Sequence, residues 1–356
     1  MSPLIPVRED LVSHLRYDSP QIPAEVRLNS NESPLAPPPG WAEAFEAEVA
    51  RVEANRYPDP DAAALRAAIG ALHGVCEKEV FCANGSNEVV QCLLLAFGGP
   101  GRRAALFEPT YALHRLIATV SGTTIVAAKR NERFEVDLDR AQRLFEEHRP
   151  ELTFLCSPNN PTANADPLEV IAAMVHAVPG LLVVDEAYGE LAPTSATSLR
   201  RKPGSEGLAV VRTFSKAWAL AAARLGYVIA APEVIEACRA VALPYHLSAY
   251  TQAAGIVSLR FAQAMSERVA VMIEERERVA AGLEALPVEL WPSDANFILF
   301  RPKLAHGARV FGDLVERSVL VRDFSRSEDL SGCLRVTIGT RAENDRFLSA
   351  LEECLS

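Results

Sequence analysis

The sequence predicts an α/β protein with a mainly parallel central sheet between helices and a smaller α+β domain at its C-terminal end. Short apolar runs alternate with segments of helical periodicity through the first part of the chain, as in strands joined by crossover helices. One of these runs, residues 181–184, is continuously apolar, which is typical of a strand buried on both faces of a parallel sheet. After residue 248 the pattern changes to a long helical segment followed by isolated strand candidates, which marks the smaller domain.

The elements are predicted in chain order from the N-terminus. Residues 1–40 are rich in proline and polar residues and are predicted to form an N-terminal arm without packed elements. Residues 41–247 form the predicted large domain and residues 248–356 the small one, which opens with one helical pattern over 248–286. Helical patterns such as 167–178 separate most strands of the large domain. The predicted strands are 104–107, 123–127, 152–156, 181–184, 208–211 and 227–230, then 297–300 and 334–338 in the small domain.

Composition excludes several classes of protein. The 356 residues, 49% of them hydrophobic, can bury a large core. A net charge of −10 argues against a nucleic-acid partner, and we expect a soluble, cytoplasmic protein because no leader or membrane-length apolar stretch is visible. The cysteines are scattered and odd in number, which predicts reduced thiols, and the histidines lack metal-ligand spacing, so no metal is expected. No glycine-rich nucleotide-binding motif is present.

Lys216 is one of only five lysines, and it alone lies in apolar surroundings. It follows the apolar run 208–211 and a short Thr/Ser turn, and it precedes a stretch rich in alanine and leucine. Burial lowers the pKa of a lysine and makes it a usable nucleophile for Schiff-base chemistry. From these residues alone, a lysine that extends from an apolar helix to solvent is the more frequent case.

Asp185 changes that balance because it directly follows the apolar run 181–184. In a parallel sheet this position lies at the carboxyl edge, where open α/β sheets bind ligands. An imine-forming lysine and a buried carboxylate are the pair that pyridoxal phosphate requires, since the carboxylate keeps the ring nitrogen protonated. A metal is the alternative partner for Asp185, but the scattered histidines argue against it.

Three motifs in sequence resemble the signature of the fold-type I pyridoxal-phosphate aminotransferases of class II. They are Asn159-Asn160-Pro161-Thr162, Asp185-Glu186-Ala187-Tyr188 and Thr213-Phe214-Ser215-Lys216 with Arg224 beyond it. Further segments around Asn31, Tyr57, Arg322 and Arg335 are similar to the histidinol-phosphate aminotransferase branch. The resemblance covers almost the whole chain, and it departs from the family pattern at Ala163, where glycine is common.

The resemblance implies a pyridoxal 5'-phosphate site. Asn84-Gly85-Ser86-Asn87 precedes a helical run, and we expect Ser86 to cap a helix whose N-terminus binds the cofactor phosphate. The remaining roles come from the family. The phosphate is expected on Gly85, Ser86, Asn87, Thr213, Ser215 and Arg224, the ring on Tyr111, Asn160, Tyr188 and the catalytic Asp185, the aldehyde on the catalytic Lys216, and Tyr57 is expected to reach the neighbouring subunit's site.

The same resemblance assigns substrate binding to Tyr17, Asn31, Arg322 and Arg335. The family's arginine at the position of Arg335 takes the α-carboxylate of an amino or keto acid. Histidinol phosphate has a phosphate instead, and Arg322 is a second cation suited to it, unless Arg322 is an ordinary surface arginine paired with Asp323. Arg224 suits a dianion because guanidinium contacts are bidentate and permanently charged.

The expected activity is amino transfer from histidinol phosphate to 2-oxoglutarate in histidine biosynthesis, by a homodimer acting on small molecules. Aromatic amino acid transfer and threonine-phosphate decarboxylation remain alternatives on the same fold. A sensor that binds the cofactor without catalysis would require a fused helix-turn-helix module, for which the sequence shows no segment. Neither nucleic acid nor membrane is expected as a partner.

Overall fold

The computed structural model describes residue 11 and residues 22–356. Its largest element is a seven-stranded sheet. A four-stranded sheet lies in the C-terminal part, and a two-stranded sheet pairs Val26–Arg27 with Val319–Leu320. The strands are β1 (Val26–Arg27), β2 (Val80–Ala83), β3 (Arg103–Glu108), β4 (Thr124–Lys129), β5 (Leu152–Cys156), β6 (Leu181–Asp185), β7 (Leu208–Thr213), β8 (Gly226–Ile229), β9 (Val288–Leu290), β10 (Phe297–Pro302), β11 (Val319–Leu320), β12 (Arg322–Asp323) and β13 (Leu334–Thr337).

The α-helices within residues 22–356 separate most of these strands. They are α1 (Trp41–Val49), α2 (Ala63–His73), α3 (Ser86–Phe97), α4 (Ala112–Val120), α5 (Leu138–His148), α6 (Leu168–Ala177), α7 (Pro232–Val241), α8 (Ala249–Leu259), α9 (Ala262–Glu284), α10 (Gly307–Glu316) and α11 (Arg341–Leu355). This alternation confirms the predicted α/β class.

The large sheet has the strand order β2-β8-β7-β6-β5-β3-β4. Strands β3 to β7 pair in parallel, whereas β8 runs antiparallel to both of its neighbours. Side chains alternate between the two faces, so Ala104 and Leu106 of β3 pack in one core with α3, and Ala105 and Phe107 pack in another with α5 and α6. Helices therefore cover both faces, and the carboxyl ends of β3, β5, β6 and β7 meet at one edge.

The four-stranded sheet is antiparallel, in the order β12-β13-β10-β9, and shares a core with α9, α10 and α11. Strand β1 pairs in parallel with β11, and Val26 and Leu28 are buried in the same core. The prediction that the first 40 residues contain no packed element is therefore wrong for this segment. Two apolar side chains in a proline-rich context are too short a pattern to reveal a strand.

The single helical pattern predicted over residues 248–286 is two helices, α8 and α9. They are separated at Arg260 and Phe261, and Phe261 has non-helical backbone angles of −106° and 25°. Helix α8 packs on α1 and α2, whereas α9 packs on the small sheet and α11. The chain changes direction because the two helices serve different cores, and the division at residue 248 stays a prediction.

Other predicted boundaries differ from the structure by one or two residues. The strand predicted at 123–127 is Thr124–Lys129, and the predicted strands at 227–230 and 334–338 are Gly226–Ile229 and Leu334–Thr337. Apolar runs do not mark strand ends sharply, because strand-end residues such as Lys129 carry charge. Within the described ranges no helix is both long and apolar enough to cross a bilayer.

Ala163 adopts a left-handed backbone conformation with φ of 72° and is fully buried. Its N–H donates to the carbonyl of Asn159 at 2.7 Å, and its own carbonyl accepts from the N–H of Asp294 at 2.8 Å. These two bonds hold the turn in place. A residue with a Cβ loses about 1–2 kcal/mol in this conformation, whereas glycine does not.

We expect Ala163→Gly to raise the free energy of unfolding by about 1 kcal/mol, because relief of backbone strain outweighs the entropy of glycine. Urea denaturation measures the change. The control is Ala118→Gly, a buried alanine within α4, which should lose about 1 kcal/mol or more. A loss of stability in Ala163→Gly similar to that of the control would contradict the assignment of strain.

Candidate active site

A cavity of about 260 Å³ lies at the carboxyl edge of the large sheet. It is lined by Asn29, Ser30, Asn31, Ser86, Asn87, Tyr111, Cys156, Asn160, Asp185, Ala187, Tyr188, Thr213, Ser215, Lys216, Arg224 and Arg335. Most of the residues that the sequence singled out therefore come together in one place, although they are drawn from segments more than 300 positions apart.

Lys216 follows β7 and projects its amine into this cavity. Its Nζ donates to the carbonyl of Ser30 at 3.2 Å and lies 5.8 Å from the centre of the Tyr188 ring. Burial, together with the positive charges of Arg335 and Arg224, lowers the pKa of Lys216 to about 8, while Glu32 acts in the opposite direction. About a tenth of the amine is therefore neutral at pH 7, far more than for an exposed lysine.

Asp185 ends β6 and is buried, with 2% of its surface exposed. Its Oδ1 accepts from the N–H of Ala187 at 3.0 Å, and its Oδ2 lies 2.9 Å from Nε2 of His114. His114 is itself fully buried on α4 and stacks on Phe154 with ring centres 5.0 Å apart. The carboxylate is thus fixed on one side and faces the cavity.

His114 was missed by the sequence analysis, which considered histidines only as metal ligands. Its position three residues after Tyr111 was the available signal, because residues three apart share one face of a helix. Tyr111 lies just before α4, and its ring meets the His114 ring edge-on with centres 5.4 Å apart. Tyr111 lines the cavity, whereas His114 lies behind it and contacts Asp185.

Helix α3 begins beside Arg224 and leaves its N-terminus open. Gly85 is its N-cap, with φ of 81° and no side-chain cap, so the prediction that Ser86 caps the helix is wrong. The positive φ favours glycine there, and a Cβ on Gly85 would also lie 2.4 Å from Nη2 of Arg224. Arg224 Nη1 donates to the hydroxyl of Ser215 at 3.2 Å, and Thr213 Oγ1 accepts from the N–H of Ser215 at 3.1 Å.

These groups form a site for a dianion. Backbone N–H groups of a helix N-terminus carry partial positive charge, and Arg224 adds a full one. Hydroxyl groups of Ser86, Thr213 and Ser215 supply further hydrogen-bond donors. The arrangement matches the phosphate site that the sequence predicted, and its residue roles stay predictions.

Tyr188 lies opposite Lys216 in a hydrogen-bonded cluster. Its hydroxyl accepts from Nδ2 of Asn31 at 3.0 Å and from Nδ2 of Asn160 at 3.4 Å. Burial raises the pKa of the Tyr188 phenol, so it remains protonated and can donate. Asn31 is also joined to Thr337 of β13 through its backbone N–H and its side chain, each at 3.0 Å.

Arg335 reaches the cavity from β13 of the small sheet. Its Nη1 donates to Oδ1 of Asn160 at 2.6 Å and its Nη2 to the carbonyl of Asn29 at 2.9 Å. Arg322 of β12 is directly opposite Arg335 in the strand register, so the two side chains share one face of the sheet. Arg322 lies beside the cavity over the ring of Phe324, at 5.9 Å, and is not part of its lining.

One predicted residue, Tyr57, lies away from this cavity. Tyr57 is 80% exposed and stacks on Tyr245, with 4.4 Å between the ring centres. Tyr245 in turn lines a separate depression of about 390 Å³. Tyr17 lies outside the described residues. Among the residues that are described, no group of histidine, cysteine and carboxylate side chains could hold a metal ion.

Comparison with known proteins agrees with this geometry. Residues 23–351 match the family described as Aminotransferase class I and II. The histidinol-phosphate aminotransferase of Frankia casuarinae is 45% identical over 99% of this chain and 91% of its own, and that of Thermobifida fusca is 43% identical over 98% and 95%.

Solved structures share the fold. Histidinol-phosphate aminotransferase from Sinorhizobium meliloti, in complex with pyridoxal-5'-phosphate, superposes with a TM-score of 0.89 at 23% identity over 99% of this chain and 98% of that one. L-threonine-O-3-phosphate decarboxylase from Porphyromonas gingivalis gives 0.79 at 21% identity over 92% and 98%.

We expect the Lys216 amine to react with acetic anhydride with a half-maximal rate near pH 8, because only the neutral amine is nucleophilic. Competitive labelling with mass spectrometry measures this midpoint in protein freed of any bound aldehyde. Arg335→Gln should move the midpoint upward and Glu32→Gln downward, since each removes one of the charges that act on Lys216.

The control for these shifts is Arg309→Gln, an exposed position on α10 whose removal should leave the midpoint in place. A midpoint for Lys216 that does not respond to Arg335→Gln would mean that the two charges do not interact across the cavity.

Proposed function

We propose, from the premise that this chain belongs to the class I and II aminotransferases, that it transfers the amino group of histidinol phosphate to 2-oxoglutarate with pyridoxal 5'-phosphate as cofactor. The observation that carries the proposal is the cavity in which a lysine of lowered pKa, a buried aspartate and an arginine-lined anion site meet. The relatives that span nearly the whole chain support histidinol phosphate as the substrate.

The residues of the cavity fit pyridoxal phosphate. The N-terminus of α3 with Ser215 and Arg224 would hold its phosphate, Asp185 its ring nitrogen, and Tyr188 with Asn160 its phenolic oxygen. Tyr111 would lie against the ring. When bound, the cofactor supplies an aldehyde that reacts with amines and a pyridine ring that takes up the electron pair released at the neighbouring carbon.

The protein's own contribution is charge and proton transfer. Asp185 is held by His114 and by the N–H of Ala187, so its carboxylate would face the ring nitrogen of the bound cofactor and would favour the protonated form of that atom. Lys216, with a pKa near 8, can take a proton from the amine-bearing carbon of the substrate and pass it to a carbon of the cofactor. It can do both because its two protonation states are close in free energy. The phenol of Tyr188 stays protonated and can therefore donate a hydrogen bond to the phenolic oxygen of the cofactor.

Arg335 and Arg322 would recognise the anionic end of the substrate. Arg335 lines the cavity and would meet the α-carboxylate of glutamate or the phosphate of histidinol phosphate. Arg322, on the same face of the small sheet, brings a second positive charge. This charge would attract a dianionic phosphate more strongly than a carboxylate, which carries a single negative charge. Asn31 and, from the sequence, Tyr17 complete the proposed substrate residues.

A homodimer would bring Tyr57 to the neighbouring cavity. Tyr57 and Tyr245 form an exposed aromatic pair, and Leu243 beside them is 75% exposed. Exposed apolar side chains in one patch are typical of an interface between subunits. Sedimentation analysis tests the dimer, and loss of cofactor affinity in Tyr57→Ala tests the contribution across it.

The function is tested by single-turnover spectra of the cofactor-loaded protein with a panel of amines and oxo acids. Amino transfer requires 2-oxoglutarate and yields glutamate. Release of CO₂ from threonine phosphate without an oxo acid would instead identify a decarboxylase. Faster turnover of phenylalanine than of histidinol phosphate would identify an aromatic aminotransferase.

Borohydride reduction of the cofactor-loaded protein should attach pyridoxal phosphate to Lys216 alone, because it is the lysine whose amine enters the cavity. Peptide mass mapping identifies the site. Lys216→Arg is the control and should bind the cofactor without covalent attachment. Recovery of the label on Lys202 or Lys303 would refute the assignment of Lys216.

Arg322→Ala should weaken histidinol phosphate by about ten- to a hundred-fold and glutamate much less, because a lost charge-assisted contact corresponds to about 1.5–3 kcal/mol. Arg335→Ala should weaken both substrates, since both anions meet it in the cavity. Separate KM values for the two half-reactions measure the effects. Equal losses for both substrates in Arg322→Ala would show that Arg322 does not distinguish phosphate from carboxylate.

A further inference from the structure

We propose that Arg212 is a positioning residue that fixes the Asp185 segment and the Lys216 segment of the site relative to each other. It would do so through a buried network with Glu186, Glu190 and Trp218. The inference rests on the proposed function, because it assigns the network a role in aligning the two groups that act on the cofactor.

Arg212 joins two carboxylates on the side of the sheet edge that faces away from the cavity. Its Nη1 lies 2.6 Å from Oε2 of Glu186 and its Nη2 lies 3.2 Å from Oε1 of Glu190. All three side chains are at most 7% exposed. Glu186 is further fixed by the N–H of Ala196 at 2.5 Å and the hydroxyl of Ser195 at 2.6 Å.

The position of the network relative to the site is explained by strand geometry. Successive residues of a strand point to opposite sides, so Arg212 points away from the cavity while its neighbour Thr213 lines it. The same holds for Glu186 and its neighbour Asp185. Each catalytic segment therefore presents one residue to the cofactor and the next to the network.

Trp218 extends the network to the far side of Lys216. Its indole Nε1 donates to Oε1 of Glu190 at 3.2 Å, and its ring packs on Phe214 with centres 5.0 Å apart. Lys216 thus lies in a short segment with both ends, Arg212 and Trp218, tied to Glu190. A displacement of the 185–190 turn would be transmitted to the lysine through both ties.

Gly189 shows how closely the turn approaches Arg212. The turn is closed by the N–H of Gly189, which donates to the carbonyl of Glu186 at 2.9 Å. A Cβ on Gly189 would lie 2.6 Å from Nη1 of Arg212 and 2.9 Å from Cβ of Glu186. The guanidinium therefore fills the space that any other residue at position 189 would need.

Stability alone does not account for this network. Removing three charged groups from water is costly, and well-packed apolar residues in place of a buried ion pair are often as stable or more so. A planar guanidinium with two carboxylate partners provides a fixed geometry instead. Small misplacement of reacting groups can reduce rates by about a hundred-fold. A fixed separation of Asp185 and Lys216 would therefore maintain the rate of the proton transfer that Lys216 performs.

The test compares Trp218→Phe with Trp41→Phe. Both remove one indole hydrogen bond, since Trp41 Nε1 donates to Ser258 at 2.8 Å in a region away from the cavity. Urea denaturation, kcat, KM and the pH midpoint of the visible absorbance of bound pyridoxal phosphate are measured for each cofactor-loaded variant. Trp218→Phe should shift the absorbance midpoint by about half a unit or more and lower kcat about tenfold with little change in KM.

Trp41→Phe should change only the denaturation midpoint. A second pair of variants is Gly189→Ala and Gly312→Ala. Gly189→Ala displaces Arg212 without removing any charge, and Gly312→Ala is its control, because this glycine of α10 has open space around it. If Trp218→Phe and Gly189→Ala match their controls in absorbance midpoint and kcat, the network is structural only and the proposal is wrong. Wild-type protein that binds the cofactor but transfers no amino group would refute the proposed function, while the absorbance comparison would still decide the role of Arg212.

Discussion

The site depends on keeping the Lys216 amine out of water beside two guanidinium groups. Burial and the charges of Arg335 and Arg224 lower its pKa to about 8. An exposed lysine stays protonated near neutral pH, whereas this amine can gain and lose a proton there. That environment requires one sheet to supply the lysine and Arg224 and the other to supply Arg335. The packing of the two sheets around the cavity is therefore what sets the chemistry of the amine.

Buried arginines stabilise the strand ends that carry the site. Arg130 contacts the carbonyls of Phe107 and Cys156 and the carboxylate of Asp166, each at 3.2 Å, and so joins the ends of β3 and β5. Arg212, near the end of β7, joins that strand to the segment after β6 through the carboxylates of Glu186 and Glu190. Carbonyl groups at strand ends have no further strand to bond, and guanidinium groups satisfy several of them at once.

Local sequence pattern was enough to predict that Asp185 and Lys216 would lie close together. The continuous apolar run before Asp185 and the lysine after a second run placed both residues at one sheet edge, and the structure has them in one cavity. The spacing of His114 from Tyr111 was a local signal, but its contact with Asp185 spans 71 positions, and the contact of Arg212 with Glu186 spans 26, so neither contact follows from local pattern. The open cap at Gly85 was missed for a related reason. A serine after a glycine is a common cap, whereas here the glycine is itself the N-cap and no side chain caps the helix.

The N-terminal segment shows most clearly how distant residues complete the site. The carbonyl of Ser30 accepts from Lys216, that of Asn29 accepts from Arg335, and the Asn31 side chain joins Tyr188 to Thr337. These three residues follow β1, whose pairing with β11 anchors them to the small sheet. The segment therefore contacts both Lys216 of the large domain and Arg335 of the small sheet. A single stretch of backbone accepts hydrogen bonds from both Lys216 and Arg335. Any movement of the small sheet on substrate binding would therefore change the position of the carbonyl that contacts Lys216.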